Sequence, residues 1–75
     1  MYLYALLEGE CGRVIKVCEK EDIGRRLGDL GIIEGTKITR LGRSPLGDPT
    51  AYLIRGSVIA LRKEDAAKVL VERDE

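Results

Sequence analysis

The chain has no histidine, no phenylalanine and no tryptophan. Without histidine it lacks the commonest general base and the commonest nitrogen ligand for a metal. With three tyrosines as its only aromatics, it must build a core from Leu, Ile, Val and Ala, and it has few platforms on which a single-stranded nucleic acid could stack. Formal net charge is zero, unlike the basic footprint of a general nucleic-acid binder. The two cysteines, Cys11 and Cys18, are too few for a disulfide framework. Their separation is also wider than the two-to-four spacing of a zinc knuckle. Cys18, near the end of an expected strand, reads as a small buried residue, and Cys11 as an exposed one. No window approaches the ~20 apolar residues of a membrane span. Met1 to Leu7 lacks the charged start and long apolar run of a secretory leader. The expectation is a cytoplasmic domain spanning residues 1–75. A domain this small buries only about 60% of its unfolded surface.

Charge is present in quantity but unevenly placed. Residues 1–35 hold five basic and seven acidic groups, and residues 64–75 two basic and five acidic. Between them Lys37, Arg40, Arg43, Arg55, Arg62 and Lys63 face a single acid, Asp48. Such a block suits a solvated surface, an acidic protein partner or an anionic lipid. Arg25 and Arg26 are open to the same three readings.

Read for organisation, the chain alternates short β-rich runs with turns. Tyr2 to Leu7 is a lead-in strand or a helical turn. Gly12 to Cys18 is the first long strand. Asp22 is placed to cap a helix, and Ile23, Leu27 and Leu30 recur at helical spacing to give it one apolar face. Gly31 follows the last apolar position, where a left-handed stop is cheapest for glycine, and Gly35-Thr36 turns the chain into a second strand, Thr36 to Leu41. In that strand Ile38 shares a face with Arg40, a conflict that a bulge or strong bend would resolve. Ala51 to Arg55 is the third strand, with Tyr52 and Ile54 on one face and Leu53 on the other. Arg55-Gly56 is a hairpin turn, Ser57 to Leu61 the fourth strand, Lys63 to Lys68 a helical turn and Val69 to Val71 the last strand, after which Arg73 to Glu75 fray. The fold class is mainly β: about five short strands forming a small barrel, with a short helix between the first two long strands. Ile15, Val17, Leu27, Leu30, Ile38, Ile54, Ile59 and Val69 are the expected core.

Chemistry is sparse. The glycines of Gly42 to Asp48 invite comparison with a phosphate-binding loop, but Asp48 and Pro49 stand where a lysine and a hydroxyl belong, and an acid there repels phosphate. Asp22, Asp29, Glu34 and Asp48 lie beside turns or helix ends and read as caps and solubilising groups. No carboxylate pair has the spacing of a catalytic dyad, so no catalytic residue is assigned. No metal-ligand set and no resident cofactor are expected either, although weak binding of a transition metal at surface carboxylates or Cys11 is left open. Leu46, between Pro45 and Gly47, either folds back onto the barrel or docks on a partner.

The ordered series Leu30-Gly31-Ile32, Glu34-Gly35-Thr36, Pro45-Leu46-Gly47-Asp48-Pro49, Arg55-Gly56 and Ala60-Leu61-Arg62-Lys63-Glu64-Asp65-Ala66 resembles the FeoA family. The resemblance runs roughly from Gly9 to Val71. It departs at Leu30, where the family often has methionine, and at Ile33, where proline is frequent. It implies an SH3-like barrel acting as a small cytoplasmic accessory of ferrous iron uptake, without enzymatic activity. The partner it implies is the large FeoB-type membrane GTPase, with no nucleic acid and no membrane insertion. Lys37, Arg40, Arg43, Pro45 and Leu46 are the candidate partner-binding residues. The alternative is a stand-alone relative of the C-terminal SH3-like domain of iron-dependent repressors. Those carry an N-terminal helix-turn-helix, for which this sequence has no room.

Overall fold

The computed structural model describes residues 1–18, 26–43 (Arg43 as backbone only) and 47–74. Five strands occur among them: β1 Cys11–Val17, β2 Lys37–Arg43, β3 Thr50–Ile54, β4 Ser57–Leu61 and β5 Val69–Arg73. They form one sheet in the order β4-β3-β2-β1-β5, antiparallel throughout. Residues 26–29 are helical (α1), and Lys63–Ala66 is a one-turn helix (α2). The lead-in is a 3-10 turn at Leu3–Ala5, with Tyr2 bridged to Leu70 of β5. No helix of the described residues is long and apolar enough to cross a membrane. The expected Asp22 cap and Ile23 lie outside the described residues.

Glycine sets two of the turns. α1 ends in a Schellman arrangement: Gly31 N–H donates to the Gly28 carbonyl at 2.9 Å and Ile32 N–H to the Leu27 carbonyl at 3.0 Å, with Gly31 at φ 89°. That geometry turns Ile32 onto the core, 1% exposed, as the hydrophobic contact of such a cap requires. The β3–β4 hairpin closes through Arg55 (φ 50°) and Gly56 (φ 81°), the two positive values that match the right-handed twist of the strands. Arg55 Nε reaches back to donate to the Gly31 carbonyl at 3.3 Å, tying the hairpin to the end of α1.

The core is aliphatic plus one ring. Leu27, Ile38, Ile54 and Val69 are buried as expected, with Val17 and Ile59 packed half-buried against them. Leu3, Leu6, Val14, Ile32, Tyr52, Leu61, Ala66 and Val71 complete it. Two expected core residues are exposed. Ile15, 45% exposed, falls at a register shift between Val14 and Lys16. The extra residue of a bulge leaves the ladder, so Val14 takes the inward position instead. Leu30, 37% exposed, sits in the turn that ends α1, and Ile32 fills the space that helical spacing had given it.

β2 does carry a bulge, a shift between Arg40 and Gly42, but it falls after Arg40 and leaves Ile38 and Arg40 on the same side, so it does not resolve the conflict for which a bulge was expected. The chain end is more ordered than expected: Arg73 belongs to β5 and pairs with Glu10 at 3.2 Å, and Asp74 pairs with Arg13 at 3.2 Å. β5 draws its last residues into the ladder beside β1, where opposite charges wait. Glu75 lies outside the described residues. Both cysteines are half-buried, so Cys18 is less enclosed and Cys11 less open than the sequence suggests. Cys11 Sγ lies 3.2 Å from Thr39 Oγ1 across the strand pair.

Candidate partner-binding face

The β2 bulge carries the strand on to Arg43, whose backbone pairs with Thr50 at the start of β3. The connection between them returns along Gly47, Asp48 and Pro49, all exposed, with the Asp48–Pro49 peptide bond cis. Its end is anchored, because Lys63 N–H donates to Asp48 Oδ1 at 2.8 Å. This bond joins the β2–β3 connection to the first residue of α2.

The candidate residues do not form one patch. Lys37 and Arg40 are three apart on a strand, so they face opposite sides of the sheet. Lys37 is exposed, its Nζ 4.0 Å from the Asp74 carboxylate. Arg40 shares the Ile38 side and is half-buried. Its Nη1 donates to the Leu6 carbonyl and, at 3.5 Å, to that of Tyr4. Its Nε is buried and has no hydrogen-bond partner among the described residues. The side chain of Arg43, and Pro45 and Leu46, lie outside the described residues.

Beside Arg40 is a cleft of about 250 Å³, lined by Tyr4, Arg40, Gly47, Asp48, Thr50, Tyr52 and Lys63. Lys63 Nζ stands 5.4 Å from the centre of the Tyr4 ring, a cation–π distance. Burial pushes the Tyr52 pKa up from the usual phenol range; the Arg40 charge and a hydrogen bond with Thr50 pull it back in part, and Asp48 adds to the rise. The arrangement holds polar groups in place around the loop base without presenting a nucleophile paired to a base. Sequence reasoning missed it because its members come from four separate segments. The one available signal was the mismatch of Arg40 with the apolar side of β2. No group of three or more His, Cys, Asp or Glu side chains placed to hold a metal occurs among the described residues.

The family described as FeoA domain matches residues 1–73. An Fe(2+) transport protein A/Fe(2+) transporter FeoB fusion protein of Porphyromonas gingivalis is 35% identical over 72 residues, covering 96% of this chain and 8% of the fusion. This chain therefore spans less than a tenth of that relative. The solution structure of a FeoA-like protein from Clostridium acetobutylicum superposes with a TM-score of 0.90 at 34% identity, covering 97% of this chain and 85% of that one. The zinc-complexed FeoA of Stenotrophomonas maltophilia, described as a prokaryotic SH3 domain protein, gives 0.84 at 28% identity, covering 96% of this chain and 89% of that one. A manganese-dependent transcriptional repressor gives 0.87 at 20% identity, with 36% of its length covered; this likeness is one of fold alone. The five-stranded sheet is accordingly an SH3-like barrel, and with the family match running over nearly its whole length, the chain belongs to the FeoA family.

Proposed function

We propose that this domain is a cytoplasmic accessory of ferrous iron uptake that binds a FeoB-type membrane GTPase and biases its conformational or nucleotide equilibrium. One observation carries the reading: in the Porphyromonas gingivalis relative, a counterpart of nearly this whole chain is part of one polypeptide with a FeoB transporter. Fusion fixes two modules at high effective concentration, which is useful when they act on each other. The domain is a binding module in this reading, not an enzyme, and it needs no resident cofactor.

The proposed contact surface centres on the β2–β3 connection, with Leu46 as the apolar anchor beside Pro45 and Arg43 as the charge that steers encounter; Lys37, at the far end of β2, adds only to the long-range field. Arg40, held by its bonds to the Tyr4 and Leu6 carbonyls, lines the cleft beside Gly47 and Asp48 at the end of that connection. Steering charges act on the association rate and buried apolar anchors on the dissociation rate. The test is binding kinetics of the full chain to the soluble GTPase domain and to the whole membrane protein, each at two salt concentrations. Arg43→Glu should slow association, most at low salt. Leu46→Ala should speed dissociation without unfolding the barrel. If the domain binds neither form under any nucleotide condition, the partner assignment fails. If it binds but neither substitution changes the rates, the surface is elsewhere.

A further inference from the structure

We propose that the free edge of β4 is a docking site for an extended segment of a partner protein, with an apolar, β-branched centre and carboxylates at both ends. β4 is an outer strand of the sheet and pairs with β3 alone among the described strands. The pairing register fixes which of its backbone groups are unused. Ile54 and Ser57 flank the two-residue hairpin turn as its closing, hydrogen-bonded pair. Bonded and non-bonded pairs alternate along an antiparallel ladder. Tyr52–Ile59 and Thr50–Leu61 are therefore bonded pairs as well, whereas Leu53–Val58 and Ala51–Ala60 are not. The N–H and C=O groups of Val58 and Ala60 thus point away from β3. No backbone bond from a turn or loop reaches either residue among the described residues.

Side chains and charge define the occupant. Val58 is 67% exposed and Leu53, opposite it, 37%. Ala60 is exposed as well. An added strand would find an apolar row on this face of the sheet for its alternate side chains. β4 itself has neither a charge nor a proline, the devices by which edges are usually blunted. Both its ends are basic. Arg55 precedes it and Arg62-Lys63 follow, all exposed, and neither Arg55 nor Arg62 enters an ion pair among the described residues. Glu64 and Asp48, whose carboxylate accepts from Lys63 N–H, also stand beside the far end, so the cation it offers an occupant is Arg62, which is outside the ion pairs of the described residues. A second copy of this chain is a poor occupant. Antiparallel pairing of two β4 strands brings Arg55 of one copy beside Arg62 of the other, and parallel pairing sets identical charges side by side. Acids about seven residues apart on a partner strand would meet both ends, across roughly 24 Å of strand.

The probe is a synthetic peptide with a Val-Thr-Val-Thr-Val centre and two glutamates at each end; its control carries lysines in place of the glutamates. Amide hydrogen exchange and shift titration of the full chain by NMR give the readout. The acid-flanked peptide should slow exchange at the Val58 and Ala60 amides and leave Ser57 and Ile59, already bonded to β3, unchanged. Arg62→Glu should weaken its binding about tenfold, and Val58→Lys, which places a charge on the edge, should abolish it. Protection of Ser57 and Ile59 in both variants shows that the hairpin is intact. Equal binding of the lysine-flanked peptide would overturn the proposal. So would protection appearing elsewhere on the barrel, absence of binding at millimolar peptide, or self-association of the chain through Val58 and Ala60.

Discussion

Replacing Gly31 by alanine tests the joint between α1 and the β3–β4 hairpin. Two penalties combine there. At φ 89° a residue with a Cβ loses about 1–2 kcal/mol against glycine, for the steric reason that disfavours left-handed backbone in general. The new Cβ would also lie 2.9 Å from Cδ of Arg55 and 3.2 Å from its Nε, so the arginine must move and its hydrogen bond to the Gly31 carbonyl is strained or lost. An exposed side chain can rotate away, which limits this second penalty to about 1 kcal/mol, the net worth of one hydrogen bond. The backbone penalty therefore dominates, and the expected total is about 2–3 kcal/mol. A domain of this length has roughly 4–11 kcal/mol of stability, and each kcal/mol lowers the melting temperature by about 4–8 °C. Denaturant titration of Gly31→Ala, Arg55→Ala and the double variant separates the parts. The smaller penalty should vanish in the Arg55→Ala background and the larger persist. A neutral Gly31→Ala would refute the cap geometry. An unchanged cost in the Arg55→Ala background would refute the contact with the hairpin.

Three further outcomes are expected. Leu27→Ala, at a fully buried position, should cost about 2–5 kcal/mol, whereas Ile15→Ser on the β1 bulge should stay within about 0.5 kcal/mol; comparable losses in denaturant titration would contradict the burial pattern. Because burial raises the Tyr52 pKa, the folded state favours the protonated phenol. That contribution is whole below the unfolded tyrosine pKa, near 10, and is lost as pH rises through the higher folded value. Tyr52→Phe should therefore flatten the alkaline fall in stability, as read by melting temperature from pH 9 upward. Addition of a chelator should leave the melting temperature unchanged, and a large drop would reveal a structural metal.

The strands along the chain and the turns between them were legible because each rests on local chemistry. The Arg55-Gly56 turn and the Gly31 stop each follow from residues adjacent in the chain. The errors came from positions decided by neighbours distant in sequence. Ile15 looks like a core residue in any reading of Val14-Ile15-Lys16-Val17; only its pairing with β5 shows that the bulge excludes it. Leu30 fits the helical period, yet the cap that ends α1 brings Ile32 inward. Leu3 and Leu6 were not assigned to the core because a 3-10 turn has no long apolar period to detect. The candidate site was legible only as composition. Arg40 was marked as out of place on an apolar face, but nothing local says that its guanidinium meets the Tyr4 and Leu6 carbonyls.

The same folding disperses what looks in sequence like a basic block. Lys37 is drawn toward Asp74, Arg40 is turned toward the N-terminal turn, and Arg55 and Arg62 stand at opposite ends of β4. Arg43 ends β2 beside the connection. A contiguous patch would give one docking direction and a single salt-sensitive rate. Separated cations instead create a broad field that raises encounter rates, while each docking event depends on its local apolar contacts. The β2–β3 connection and the β4 edge should therefore respond independently to substitution: Arg43→Glu should leave peptide binding at β4 within twofold, and Arg62→Glu should leave the dissociation rate from the GTPase within twofold, since distant sites without shared partners behave additively. Coupling beyond that in both directions would mean that one partner covers both surfaces, and a double-mutant cycle on binding to the whole membrane protein measures it directly.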